Sequence, residues 1–172
     1  MLIEKDKSAL LIIDVQEKLV SAMPKPHKFI DNIIKLQKAA NILQVPITLT
    51  EQYPKGLGRT IDKIRENTKN AAVEKTDFSI AIDSTKIVNN MIICGIEAHV
   101  CVLQTAINLA EDKKVYVVQD AISSRYEKDY LTALSRLDKH PNIQIVTCEM
   151  VLFEWLRTSD HPEFKNISQL IK

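Results

Sequence analysis

The sequence predicts an α/β fold, a three-layer α/β/α sandwich with a mostly parallel central sheet covered by helices on both faces. Three observations predict it. Short apolar runs alternate along the chain with longer segments in which apolar residues recur at helical spacing. The runs are nearly continuous instead of alternating with polar residues, as expected of strands buried on both faces. The order strand, helix, strand then repeats through most of the chain, the pattern of parallel neighbours joined by helical crossovers.

Residues 9–13 (Ala-Leu-Leu-Ile-Ile) form the first strand and end at Asp14. Phe29, Ile30, Ile33, Ile34, Leu36, Ala40 and Leu43 follow at helical spacing, and residues 46–50 read as a second strand, completing a βαβ unit. Ala71-Ala72-Val73 leads through Glu74 to Lys75. Residues 91–94 are a buried strand that passes through Gly95 into a helix beginning at Cys101 and carrying Val102, Leu103, Ala106, Ile107, Leu109 and Ala110. A strand over 115–118, a helix over 130–137, a strand over 143–147 and an amphipathic helix over 149–156 complete the series. Residues 51–60, with Pro54, Gly56 and Gly58, read as a loop suited to a mobile lid or an intersubunit contact. Residues 151–172 hold Leu152, Phe153, Trp155, Leu156, Phe164, Ile167, Leu170 and Ile171, too much apolar surface for a free tail. They must cover their own sheet or a second subunit.

At 172 residues and 45% hydrophobic, the chain supports one substantial core, so a single domain over 1–172 is expected. A net charge of +1, with lysines interleaved among acids and no basic stripe carrying aromatics, predicts no nucleic-acid partner. No apolar run approaches the length of a membrane span, so no membrane partner is expected. Three cysteines without CxxC or CxxH spacing fit a reducing compartment, and Met1 leads almost directly into the first strand without room for a signal peptide. A cytoplasmic location is the expectation. His27, His99, His140 and His161 are scattered without metal-ligand spacing, so neither a metal nor another cofactor is expected.

Chemistry concentrates at the strand ends. In open α/β sheets the reactive crevice lies beyond the carboxyl ends of the strands, where Asp14, Lys75 and Cys101 can converge despite their separation in sequence. A thiol at a helix start meets backbone N–H groups and the positive end of the dipole, which favour the thiolate and can hold an oxyanion. Each residue alone also has an ordinary structural reading: Cys101 as a small core side chain, Asp14 as a turn acid, Lys75 as a solvated charge.

The segments Leu11-Ile12-Ile13-Asp14-Val15-Gln16, Glu74-Lys75-Thr76-Asp77-Phe78-Ser79, Cys94-Gly95-Ile96-Glu97-Ala98-His99-Val100-Cys101 and Val117-Val118-Gln119-Asp120-Ala121-Ile122-Ser123-Ser124-Arg125 together span most of the chain. With them the sequence resembles the isochorismatase-like cysteine hydrolase superfamily, which has a Rossmann-like topology. Residues 50–58 and 161–165 look most like its isochorismatase domain-containing subgroup. The resemblance implies a small-molecule substrate and a homo-oligomer, as a dimer, tetramer or octamer.

It also implies roles. Asp14 would be the general base, Lys75 would stabilise the thiolate and hold the carboxylate, and Cys101 would attack a carbonyl carbon. A non-proline cis peptide between Ile96 and Glu97 would set the Glu97 N–H beside that of Cys101 as an oxyanion hole. Gln16, Gln52, Tyr53, Phe78 and His99 would border the substrate. Nicotinamidases in the superfamily carry an Asp-x-His metal motif after the second strand, where this chain reads Thr50-Glu51-Gln52-Tyr53 without histidine. A metal-independent hydrolase acting on the C–N bond of a small amide or ureide is therefore expected. The alternatives are vinyl ether hydrolysis of the isochorismatase type, a redox thiol protein, and a catalytically retired oligomeric interaction protein. Relatives also have a longer segment between the lysine motif and the cysteine strand. Here only Ile80 to Asn90 connects them, which predicts a crossover helix reduced to about two turns or a local change of pairing.

Overall fold

The computed structural model describes residues 2–68, 70–80 and 88–172. Six strands, β1 (Ser8–Ile13), β2 (Ile47–Gln52), β3 (Val73–Lys75), β4 (Asn90–Ile96), β5 (Lys114–Ser123) and β6 (Ile143–Val146), form one sheet in the order β3-β2-β1-β4-β5-β6. Every pairing is parallel. The order reverses between β1 and β4, so the connections leaving the carboxyl ends of these two paired strands run in opposite directions and leave a crevice between them.

The period of two along each strand divides the core between the two faces. Leu10 and Ile12 of β1, Ile47 and Leu49 of β2, and Ile92 and Cys94 of β4 face α2 (Pro26–Ile42) and α7 (Cys148–Leu156). Leu11 and Ile13, Met91 and Ile93, and Val115 and Val117 face α5 (Leu103–Leu109) and α6 (Glu127–Leu137). Full burial of each such side chain stabilises the fold by about 1.5–3 kcal/mol, so the apolar strands are explained by having a helical layer on each side. The C-terminal stretch resolves one of the alternatives left by the sequence. Leu152, Trp155, Leu156 and Ile167 are buried in the chain's own first core, and the Trp155 indole donates to Ser8 Oγ.

The expected elements are present with shifted ends. β5 runs on to Ser123, beyond the polar Gln119-Asp120 pair at which the sequence pattern breaks. Its register with β4 shifts between Ile93↔Val117 and Gly95↔Ile122, and the polar pair is absorbed in that irregularity. α6 starts at Glu127 and not at residue 130, and Thr147 caps α7 by accepting from Met150 N instead of extending β6.

Residues 51–60 are tied down. Glu51 and Gln52 belong to β2, α3 (Pro54–Leu57) follows, and Lys18 Nζ, on α1 (Glu17–Val20), donates to Gly56 O. Thr60 N donates to Glu51 Oε1, and Thr60 forms an antiparallel bridge with Gln16. The expectation of a lid gives way to a segment pinned by buried polar groups. The expected shortened helix between Ile80 and Asn90 falls largely on residues 81–87, which lie outside the described residues. β3 pairs with β2 and β4 with β1, so this connection crosses two strand positions in the sheet.

Candidate functional site

Asp14 immediately follows β1 with φ of 51°, a left-handed conformation that aspartate tolerates better than bulkier residues. It is fully buried, and both its oxygens have donors: Thr50 Oγ1 donates to Oδ1 at 2.6 Å and Lys75 Nζ to Oδ2 at 2.8 Å. Thr50 comes from β2, whose register sets it beside Ile13. Lys75 ends β3 opposite Gln52 and stretches inward until its side chain is only 7% exposed. The ordinary reading of Lys75 as a solvated surface charge is thereby excluded. Its ammonium also donates to Gln52 Oε1 at 2.6 Å and to the carbonyls of Asp77 and Phe78 at 3.3 and 3.2 Å. A buried pair needs this full set of partners, because desolvation otherwise outweighs the attraction between the charges.

Cys101 reaches the same cluster from β4. The chain leaves β4 through Gly95, whose φ is 115° and where an added Cβ would stand 2.1 Å from Ile13 O, so β1 and β4 approach as closely as they do only because this residue is glycine. The Ile96–Glu97 peptide bond is cis. A π-turn over Ala98–Val102 follows, closed by Val102 N donating to Glu97 O at 3.2 Å, and α5 continues from Leu103. Helical structure therefore starts before the cysteine, which sits inside the wide turn. Such turns concentrate at functional sites.

The thiol is 6% exposed and is pushed up to about 12, first by burial and next by the Asp14 carboxylate, while the Lys75 ammonium and its hydrogen bond pull in the opposite direction. Loss of water around the sulfur and the neighbouring negative charge favour the neutral thiol, against the thiolate expected at a helix start, while the ammonium acts in the other direction.

Two of the residues expected at the substrate have partners within the protein. Gln16 is fully buried and its amide is spent within the protein: Nε2 donates to Gln52 O and Gly58 O, and Oε1 accepts from Gln52 N. It clamps the turn after β2 and has nothing left to offer a ligand. His99 directs Nδ1 to Ser124 Oγ at 3.0 Å and Nε2 toward Asp129 at 3.8 Å, so its ring faces β5 and α6. Gln52 lies within the cluster, where it orients Lys75 and donates to Thr76 O. Tyr53 and Phe78 are both about half exposed beside it. A pocket of about 560 Å³ lined by Tyr53, Glu74, Lys75, Thr76, Asp77 and Ser79, among others, opens next to the cluster. Among the described residues it meets the cluster at Lys75, whereas Asp14 and Cys101 lie outside its lining.

Glu97 connects the turn to β5. Its carbonyl accepts from Val100 N and Val102 N, and its carboxylate Oε2 accepts from both the backbone N and Nε of Arg125 at 3.1 Å. Thr50, Ser124, Arg125 and Asp129 were not singled out from the sequence. Thr50 carried a usable signal: Thr48, Thr50 and Gln52 alternate with Ile47 and Leu49, so one side of β2 is polar along its length. Among the described residues no group of three or more His, Cys, Asp or Glu side chains is placed to hold a metal ion.

An open parallel sheet with a buried carboxylate, an ammonium and a thiol gathered at the carboxyl ends of β1, β3 and β4 is an α/β architecture of the kind that hosts small-molecule chemistry. The isochorismatase domain family model matches residues 8–149, and the chain belongs to that family. Isochorismatase domain-containing protein 2 of Danio rerio is 38% identical over 173 residues, covering 95% of this chain and 86% of that protein. A Caenorhabditis elegans structure described as MAR1 ribonuclease superposes with a TM-score of 0.93 at 40% identity, over 99% of this chain and 92% of that one. The Escherichia coli YcaC gene product, described as an octameric hydrolase of unknown specificity, shares the fold with a TM-score of 0.82 at 24% identity, over 98% and 95% of the two chains.

Proposed function

We propose that this protein is a metal-independent cysteine hydrolase that cleaves the C–N bond of a small amide, ureide or related substrate. One observation carries the reading: Cys101 lies near enough to the buried Asp14–Lys75 pair, at the reversal point of the sheet, for both charges to act on its thiol. A neutral thiol beside a carboxylate is suited to attack coupled to proton transfer. As the sulfur bonds to the carbonyl carbon, its proton passes to Asp14, and Lys75 compensates the charge that moves through the cluster. The backbone N–H groups of Glu97 and Cys101 receive the developing oxyanion. Collapse breaks the C–N bond, Asp14 returns the proton to the departing nitrogen, and a thioester remains. Water then adds to the thioester, giving its proton to Asp14. The C–S bond breaks, the carboxylic or carbamic acid leaves, and the proton restores the thiol.

Cys101→Ala is expected to abolish turnover on a panel of small amides and ureides, and Asp14→Asn to reduce it by on the order of a thousandfold or more. Full activity in Cys101→Ala overturns the reading. Turnover of a small vinyl ether that survives Cys101→Ala but is lost in Asp14→Asn points instead to vinyl ether hydrolysis through the carboxylate and ammonium. A second reading is favoured by the C. elegans protein's description as a ribonuclease. It predicts that the purified protein shortens a defined RNA and that Asp14→Asn does not. Homo-oligomerisation, suggested by the octameric E. coli protein of the same fold, is checked by light scattering at micromolar concentration, where a monomeric mass removes it.

A further inference from the structure

Two consecutive residues at the end of β5 hold the segment that carries Cys101. Ser124 Oγ meets His99 Nδ1 at 3.0 Å, and Arg125 donates through its backbone N and Nε to Glu97 Oε2 at 3.1 Å. The β4–β5 register explains why they can: Ile96 lies opposite Ser123, so the residues that follow each strand emerge side by side. Glu97 is the hub of this arrangement. Its nearly buried carboxylate is fixed to β5, while its carbonyl accepts from Val100 N and Val102 N and so closes the turn around Cys101.

We propose that Arg125 is a positioning residue for the reaction: by gripping the Glu97 carboxylate it sets the turn that aims the Cys101 thiol and the backbone N–H groups beside it. The proposal rests on the hydrolase reading for its chemical consequence, and on the geometry alone for the grip. The Arg125 side chain is 50% exposed, so the ion pair is screened by water and adds little to global stability. Its effect is geometric. A displacement of about 1 Å at a reacting group costs on the order of a hundredfold in rate, so a brace of small thermodynamic worth can have a large kinetic one.

The test compares wild type, Arg125→Ala, Arg125→Lys and Glu97→Gln by amide hydrogen exchange, Cys101 alkylation with iodoacetamide across pH 7 to 10, and thermal melting. Arg125→Ala is expected to speed exchange at the Val100 and Val102 amides by about tenfold. Its alkylation rate is expected to fall by about tenfold throughout that range, with the melting midpoint little changed. Arg125→Lys, which keeps the charge and a donor, restores most of the alkylation rate. Glu97→Gln, which keeps an acceptor but loses the charge, falls between them. Unchanged exchange at Val100 and Val102 in Arg125→Ala overturns the grip, whatever the thiol does. Faster exchange with an alkylation rate unchanged throughout that range overturns the positioning role. A wild-type thiol indifferent to Asp14→Asn and Lys75→Met is a separate result: it counts against the hydrolase reading, while exchange still decides the grip.

Discussion

At the scale of single residues the site is defined by how its polar groups are satisfied. Asp14 has no exposure, and its two oxygens are taken by Thr50 and Lys75. Lys75→Met therefore leaves a buried carboxylate without its counter-charge, and the expected loss is about 3–5 kcal/mol in urea unfolding. Adding Asp14→Asn to that variant should recover part of the loss, because the two substitutions remove one interaction and not two. Strictly additive losses in the double variant would mean that the pair is not coupled. The three residues of the cluster were legible in the sequence, since each ends or follows an apolar strand. Their protonation was not. A helix start suggests a thiolate, whereas burial and the Asp14 charge favour the neutral thiol at Cys101, and both depend on contacts between β1 and the turn after β4. The family resemblance implied a place for Gln16 at the substrate, while its side chain bonds to the turn after β2.

At the scale of elements, the approach of β1 to β4 fixes the geometry. Gly95 lies opposite Ile13, with φ of 115° and no room for a Cβ against the Ile13 backbone. Gly95→Ala is expected to destabilise the protein by about 3 kcal/mol or more through strain and a forced separation of the strands. A urea midpoint that matches wild type would show that the strands are less tightly joined than this. The glycine was visible in the sequence as the break between an apolar strand and the cysteine helix, but its partner across the sheet was not. The strand ends shifted for local reasons. Gln119 and Asp120 interrupt the apolar pattern of β5, yet the irregularity in its pairing with β4 carries them without ending the strand. The same shift brings Ser123 opposite Ile96, and so delivers Ser124 and Arg125 to His99 and Glu97.

At the scale of the whole molecule, the buried thiols predict how stability responds to alkali. Burial raises Cys101 and Cys148 from near 9 to about 12, and Cys94 well above its ordinary range. Burial displaces Tyr116 and Tyr130 upward as well. These acids ionise more readily in the unfolded chain than in the folded one, so the unfolded state holds fewer protons above pH 9. Stability is intact below that pH and declines as pH rises toward 12, by about 1 kcal/mol per thiol at pH 10. The melting midpoint should therefore be lower at pH 10 than at pH 8. Equal midpoints would mean that the thiols are not sequestered. Among the described residues no helix is long and apolar enough to cross a membrane.

By itself the sequence determined the alternation of strands and helices, the burial of the sheet on both faces, the family motifs, and the placing of Asp14, Lys75 and Cys101 at or after apolar strands. These follow from local properties, the period of apolar residues and the residues at strand ends, which a linear chain displays directly. Only the tertiary structure decided that Thr50 and Gln52 orient the Asp14–Lys75 pair, that Gln16 is spent on the turn after β2 and His99 meets Ser124, that burial pushes the thiol upward, and that Arg125 reaches Glu97. Each of these depends on strand order and register, which bring together residues from separate strands that no local pattern connects.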